Sequence, residues 1–99
     1  MKFLITWQMH EGKHHDTLAL FTKMAPEQEE AMMGPSVKLL SRWHDMIRSS
    51  GVAVYEADSA EAISAYALNW NRYMDLDISV VVDDGAAREI GQAMLEAGN

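Results

Sequence analysis

The residues most able to do chemistry cluster near the ends of two alternating segments. His10-Glu11-Gly12-Lys13-His14 spells H-E-x-x-H, in which two histidines one helical turn apart share a zinc ion and the glutamate acts as base. That chemistry needs both histidines on one helix face and a third protein ligand. Here His10 ends an alternating, strand-like run, and Gly12, which weakens a helix by about 1 kcal/mol, lies inside the pattern. Three exposed histidines (His10, His14 and His15) around a strand-to-helix turn, with no metal, are the expectation.

A second constellation is less formal. Gln8, His10, Arg42, His44 and Tyr55 converge on one face or edge if the first two strands share a sheet. Histidine exchanges protons near neutral pH, arginine grips a carboxylate with two N–H groups, and tyrosine donates to an oxygen. Together they suit a small anionic or carbonyl ligand. The simpler alternative pairs Arg42 across the sheet or a dimer with an acid such as Glu56. Trp7, Trp43 and Trp70 are first of all core residues; a tryptophan-lined pocket between sheet and helices, with Trp70 as a lining residue, is the functional alternative. Eight methionines serve as adaptable filler, and the Glu27 to Glu30 run is a solvated helix face. No Gly-x-Ser-x-Gly elbow or glycine-rich phosphate cradle is present.

The elements that must position these groups follow from periodicity. Residues 2–10 alternate, with Phe3, Ile5, Trp7 and Met9 on one side and Leu4, Thr6, Gln8 and His10 on the other, as a strand does. Leu18, Phe21 and Met24 then recur at helical spacing over 13–24. Residues 25–35 form a connector with an extra helical turn opened by Pro26 and stopped at Gly34-Pro35. Val37 to His44 is a second strand, with Val37, Leu39, Ser41 and Trp43 facing one way and Lys38, Leu40, Arg42 and His44 the other. Ser49-Ser50-Gly51 turns into a third, Val52 to Ala57. Asp58 or Ser59 caps a helix that ends at Trp70. Leu76 to Val82 alternates as a fourth strand, and Asp83-Asp84-Gly85 starts a last helix with Ala86, Ile90, Ala93 and Met94 as its apolar stripe.

The order β-α-β-β-α-β-α predicts a ferredoxin-like α+β fold: one domain over 1–99, with a four-stranded antiparallel sheet and helices on one face. Leu4, Leu40, Tyr55 and Val81 are expected on the open face among Thr6, Gln8, Arg42 and His44. A half-apolar open face needs a cover, and a second copy of the chain is the simplest one, so the expected partner is the chain itself.

Composition narrows the function. Ninety-nine residues without cysteine exclude disulfides, thiolate nucleophiles and cysteine-held metal clusters. A net charge of −7 from 8 basic and 15 acidic residues disfavours nucleic acid and anionic membrane surfaces. The N-terminus lacks the apolar run of a secretory signal, so a cytoplasmic location is expected. Nothing calls for a cofactor.

Several blocks resemble one small bacterial family, domain of unknown function 3303. They are Met1-Lys2-Phe3-Leu4-Ile5-Thr6-Trp7 followed by His10, Val37-Lys38-Leu39-Leu40-Ser41-Arg42-Trp43-His44-Asp45, Tyr55-Glu56-Ala57-Asp58, Ala67-Leu68-Asn69-Trp70-Asn71 and Val82-Asp83-Asp84. The resemblance spans residues 1–90 and implies a dimeric α+β barrel; the family's activity is uncharacterised, so it assigns no catalytic residue. The leading expectation is a small-molecule binder, with monooxygenase-like chemistry suggested only by analogy of fold. The ligand-binding candidates are His10, Arg42, His44, Tyr55 and Trp70. The alternative is a non-enzymatic interaction or stress-associated module, and a metal-dependent hydrolase ranks third.

Overall fold

The structure, a computed structural model, describes residues 1–98. The elements run β1 (Lys2–Met9), α1 (His14–Lys23), α2 (Pro26–Met33), β2 (Val37–Asp45), β3 (Ser50–Ala57), α3 (Ala60–Ala67), β4 (Met74–Val81) and α4 (Asp84–Ala97). The connector thus holds a full eight-residue helix rather than a single turn. Pro26 occupies its first turn, where no intrahelical N–H is needed, and Gly34 closes it at φ 71°. Of the two caps proposed for α3, Ser59 is used: its side chain accepts from the Ala62 amide at 3.1 Å. Asp83 caps α4 in the same way at 2.9 Å, and that bond, followed by the Lys2 charge, holds its carboxyl below the usual range.

All strand pairs are antiparallel in the order β2-β3-β1-β4. β1 is central, and its odd residues face the helices: Phe3 and Ile5 are almost fully buried. They pair with Tyr55 and Ala53 of β3, which the register places on the same face. With Val37, Ala57, Ile63, Tyr66, Trp70 and Met74 they form one core cluster. Burying this apolar surface supplies the main driving force for folding.

β2 departs from simple alternation. Leu39 pairs with Tyr55 but Ser41 pairs with Val54, so one extra residue, Leu40, is inserted between them. A bulge of this kind reverses which face every later residue of the strand occupies. Arg42 and His44 therefore share the helix face with Ala53 and Gly51, while Trp43 points out and is 71% exposed. This corrects two expectations at once: Arg42 and His44 do not lie on the open face, and Trp43 does not join the core. Tyr55 does not lie on the open face either, because it pairs with the buried Phe3 of β1.

α1, α2 and α3 share the inner side of the sheet, but α4 does not cover it. α4 has no buried residue, and Ile90, Met94 and Leu95 of its apolar side are 60%, 76% and 72% exposed. Ile78 and Val80 of β4 are left half-covered or bare as a result. Among the described residues no helix is long and apolar enough to cross a membrane.

A candidate ligand-binding cleft

A cleft lies between the inner face of the sheet and α1 and α3. Its walls are apolar and aromatic, including Trp7, Met9, Leu18, Phe21, Trp70 and Met74, and its polar groups are Arg42, His44, Tyr55, Tyr66 and Thr17. Small-molecule sites commonly have this make-up, an apolar surround with a few convergent polar groups.

The strand register builds the polar end. His44, Gly51, Trp7 and Leu76 form one rung across the four strands. The glycine is required there: a Cβ on Gly51 would lie 2.2 Å from the Trp7 ring and 2.6 Å from the Trp43 carbonyl. Its absence lets Trp7 reach across β3 to His44, with ring centroids 5.5 Å apart and edge-on. Phe21 of α1 also approaches the imidazole, with ring centroids 5.0 Å apart. No ring nitrogen of His44 has a hydrogen-bond partner among the described residues, so both are available to a ligand.

One rung further along, Arg42 faces α2. Its guanidinium forms a two-pronged ion pair with Glu29; the Nη1–Oε1 contact is close, and Nη2 donates to Oε2 at 3.3 Å. Both side chains are 17% exposed, so this pair is sheltered from water. Arg42 also lies 5.0 Å from the centre of the Phe21 ring, in cation–π range. Burial alone works to lower the arginine pKa, but the hydrogen bond and charge of Glu29 outweigh it and raise the value.

Behind the pair, the Tyr55 and Tyr66 hydroxyls are 3.2 Å apart in a buried contact. Burial, then the Tyr55 oxygen, pushes the Tyr66 phenol above the ordinary tyrosine value. Tyr66 is thus a neutral donor, not a source of phenolate. His44 is displaced the opposite way for a histidine: partial burial lowers its pKa, Arg42 adds to the lowering, and Glu29 opposes both. A depressed folded value means that the folded state binds fewer protons than the unfolded chain below about pH 6.5. Any stability tied to neutral His44 is therefore present above that pH and is lost as pH falls below it. An NMR titration of the His44 ring is expected to show a midpoint below the ordinary histidine value; a midpoint at or above it would contradict this environment.

Four of the five candidates, Arg42, His44, Tyr55 and Trp70, line this one cleft. His10 does not. It sits past the end of β1, where Nδ1 is 3.2 Å from the Arg72 carbonyl and Nε2 is 3.0 Å from Asp75. His14 opens α1 and meets Ser49 at 3.2 Å instead. The two histidines of the zinc-like pattern thus have separate partners, and among the described residues no group of three or more histidine, aspartate or glutamate side chains is placed to hold a metal. The acid paired with Arg42 is Glu29, not Glu56, and Glu29 leaves the solvated face expected for the 27–30 run. Glu29, Phe21 and Tyr66 were not among the sequence candidates; only the helical spacing of Leu18 and Phe21 hinted that α1 turns an aromatic residue inward.

The model of the family described as domain of unknown function 3303 matches residues 1–95. The chain belongs to that family. No curated protein matches it. Among solved structures, a NIPSNAP family protein of Agrobacterium tumefaciens is similar with a TM-score of 0.51 at 10% identity, covering 85% of this chain and 96% of the other. A NIPSNAP domain protein of Burkholderia xenovorans gives a TM-score of 0.46 at 13% identity, with coverages of 84% and 95%. The likeness to the first places this family member in the ferredoxin-like α+β fold. It says nothing of activity.

Proposed function

We propose that the protein binds a small organic molecule in the cleft between its sheet and α1 and α3. The observation that carries this is the convergence of His44, Arg42, Tyr55 and Tyr66 on one apolar, aromatic-walled space. A core serving only stability has no use for a sheltered Arg42–Glu29 ion pair, since apolar residues of similar size stabilise as well or better, and His44 stands at the exposed rim of the same cleft. Leu18 projects into the cleft from α1 without belonging to the core cluster, which makes it the position to obstruct. Leu18→Trp is expected to weaken binding of a small aromatic probe, phenol, by about tenfold or more while circular dichroism stays that of the parent. Equal binding by both proteins would refute the assignment.

The working unit we propose is a homodimer. The chain exposes 6991 Å², against about 5,700 Å² for a compact protein of its mass. Its radius of gyration of 16.2 Å compares with about 13 Å for a compact chain of this length. The surplus matches or exceeds the roughly 800 Å² that each partner contributes to a standard interface. Two apolar areas contribute to it: the open sheet face, where Trp43 stands exposed beside the half-buried Leu4, Val52 and Val54, and the exposed side of α4. A second copy covers both. Light scattering is expected to give twice 11.1 kDa, falling to one chain for Trp43→Glu combined with Ile90→Glu. A parent protein that runs as a single chain would sink the dimer.

A further inference from the structure

The charge state of the cleft narrows what it takes. We propose that Glu29 sets the ligand class: by pairing with both terminal nitrogens of the Arg42 guanidinium it balances the charge there, so the cleft selects flat, neutral molecules bearing one hydroxyl or carbonyl oxygen and rejects carboxylates. This rests on the cleft being the binding site.

An arginine facing an apolar pocket ordinarily marks an anion site, because its planar fork matches a carboxylate. Here both terminal nitrogens are already engaged, and the charge balanced, from within the chain, by a residue thirteen positions earlier on another element. An incoming carboxylate would have to displace Glu29, leaving a second anion unpaired in a sheltered place, or share the guanidinium with it, setting two anions against one cation. Either route carries a desolvation penalty that a neutral ligand avoids. Of the lining residues only Arg42 and His44 can carry positive charge, and partial burial, then the arginine, lowers the His44 pKa and favours its neutral form. The walls supply ring faces from Trp7, Phe21 and Trp70, which favour a flat apolar body. The neutral polar groups that remain are the two imidazole nitrogens of His44 and the paired Tyr55 and Tyr66 hydroxyls, which suit a hydroxyl or carbonyl oxygen.

Phenol and benzoate, alike in their flat ring but neutral and anionic respectively at neutral pH, make the test. Calorimetric titration of the parent protein is expected to show phenol binding about tenfold or more tightly than benzoate. Glu29→Gln keeps an acceptor for Arg42 but removes the competing charge, and is expected to gain about tenfold for benzoate. Arg42→Met combined with Glu29→Met restores a neutral cleft and is expected to reject benzoate again, which separates charge from damage to the fold. A parent that prefers benzoate, with that binding lost in Leu18→Trp, would overturn the neutral class and leave the cleft standing. A Glu29→Gln protein with unchanged preference would do the same. Binding of neither probe would overturn both.

Discussion

Arg42→Met is expected to lower stability by about 2–4 kcal/mol, read as the change in urea-unfolding free energy. Arg42 and Glu29 are each 17% exposed, so removing the guanidinium leaves the Glu29 carboxylate sheltered from water without its partner. The stacking of the guanidinium on Phe21 is lost as well. The penalty belongs mainly to the stranded charge. Replacing both partners with methionine is therefore expected to recover much of the loss, so that the double variant is more stable than the sum of the single effects implies. Arg48 and Asp45 provide the contrast: that arginine is 80% exposed, and breaking the pair is expected to change stability by less than about 1 kcal/mol. A loss below about 0.5 kcal/mol for Arg42→Met would show that water reaches the pair freely, and the neutral character of the cleft would fall with it.

Trp70→Ala is expected to cost about 3–5 kcal/mol, the usual range for removing a buried aromatic ring. Trp70 is 8% exposed and packs in the same cluster as Ile63, Tyr66 and Met74. It also anchors the link from α3 to β4: its amide donates to the Ala67 carbonyl at 3.0 Å, and its own carbonyl accepts from Tyr73 at 2.9 Å and Met74 at 3.2 Å. Alanine keeps those backbone bonds, so the effect isolates the ring. Two residues away, Leu68 is 65% exposed, and Leu68→Ala is expected to change stability by no more than about 0.5 kcal/mol. Similar losses at the two positions would mean that Trp70 does not fill the cleft wall.

The order of elements was legible because it depends on local signals. Alternation around Phe3 and Ile5, the helical spacing of Leu18 and Phe21, Pro26 at a helix start, and the caps Ser59 and Asp83 each act within a few residues. What failed was the face of one strand. Carrying strict alternation through Val37 to His44 puts Arg42 and His44 beside Leu40 on the open side. The bulge at Leu40 moves them to the helix side, and no residue type in Leu39-Leu40-Ser41 announces it. The same error hid the partner of Arg42. Glu29 lies on α2, and whether α2 turns that residue toward the sheet is set by packing, which periodicity in a short polar helix cannot reveal. Trp70 lies just past α3 rather than on it, since the helix closes at Ala67, yet the turn delivers its ring to the core. For α4, the stripe was legible but its covering was not: the sequence shows an apolar side, and only the structure shows that this chain leaves it bare.

The three tryptophans make the most direct test of the cleft. Trp7 and Trp70 line it, and Trp43 stands on the opposite face of the sheet, 71% exposed. Each indole N–H gives its own nitrogen–proton NMR signal, so titrating phenol into the labelled protein reads all three at once. The expected result is that the Trp7 and Trp70 signals move together along one saturating curve while the Trp43 signal stays in place. Movement of the Trp43 signal with the other two fixed would contradict binding in the cleft, as would three signals that do not move at all.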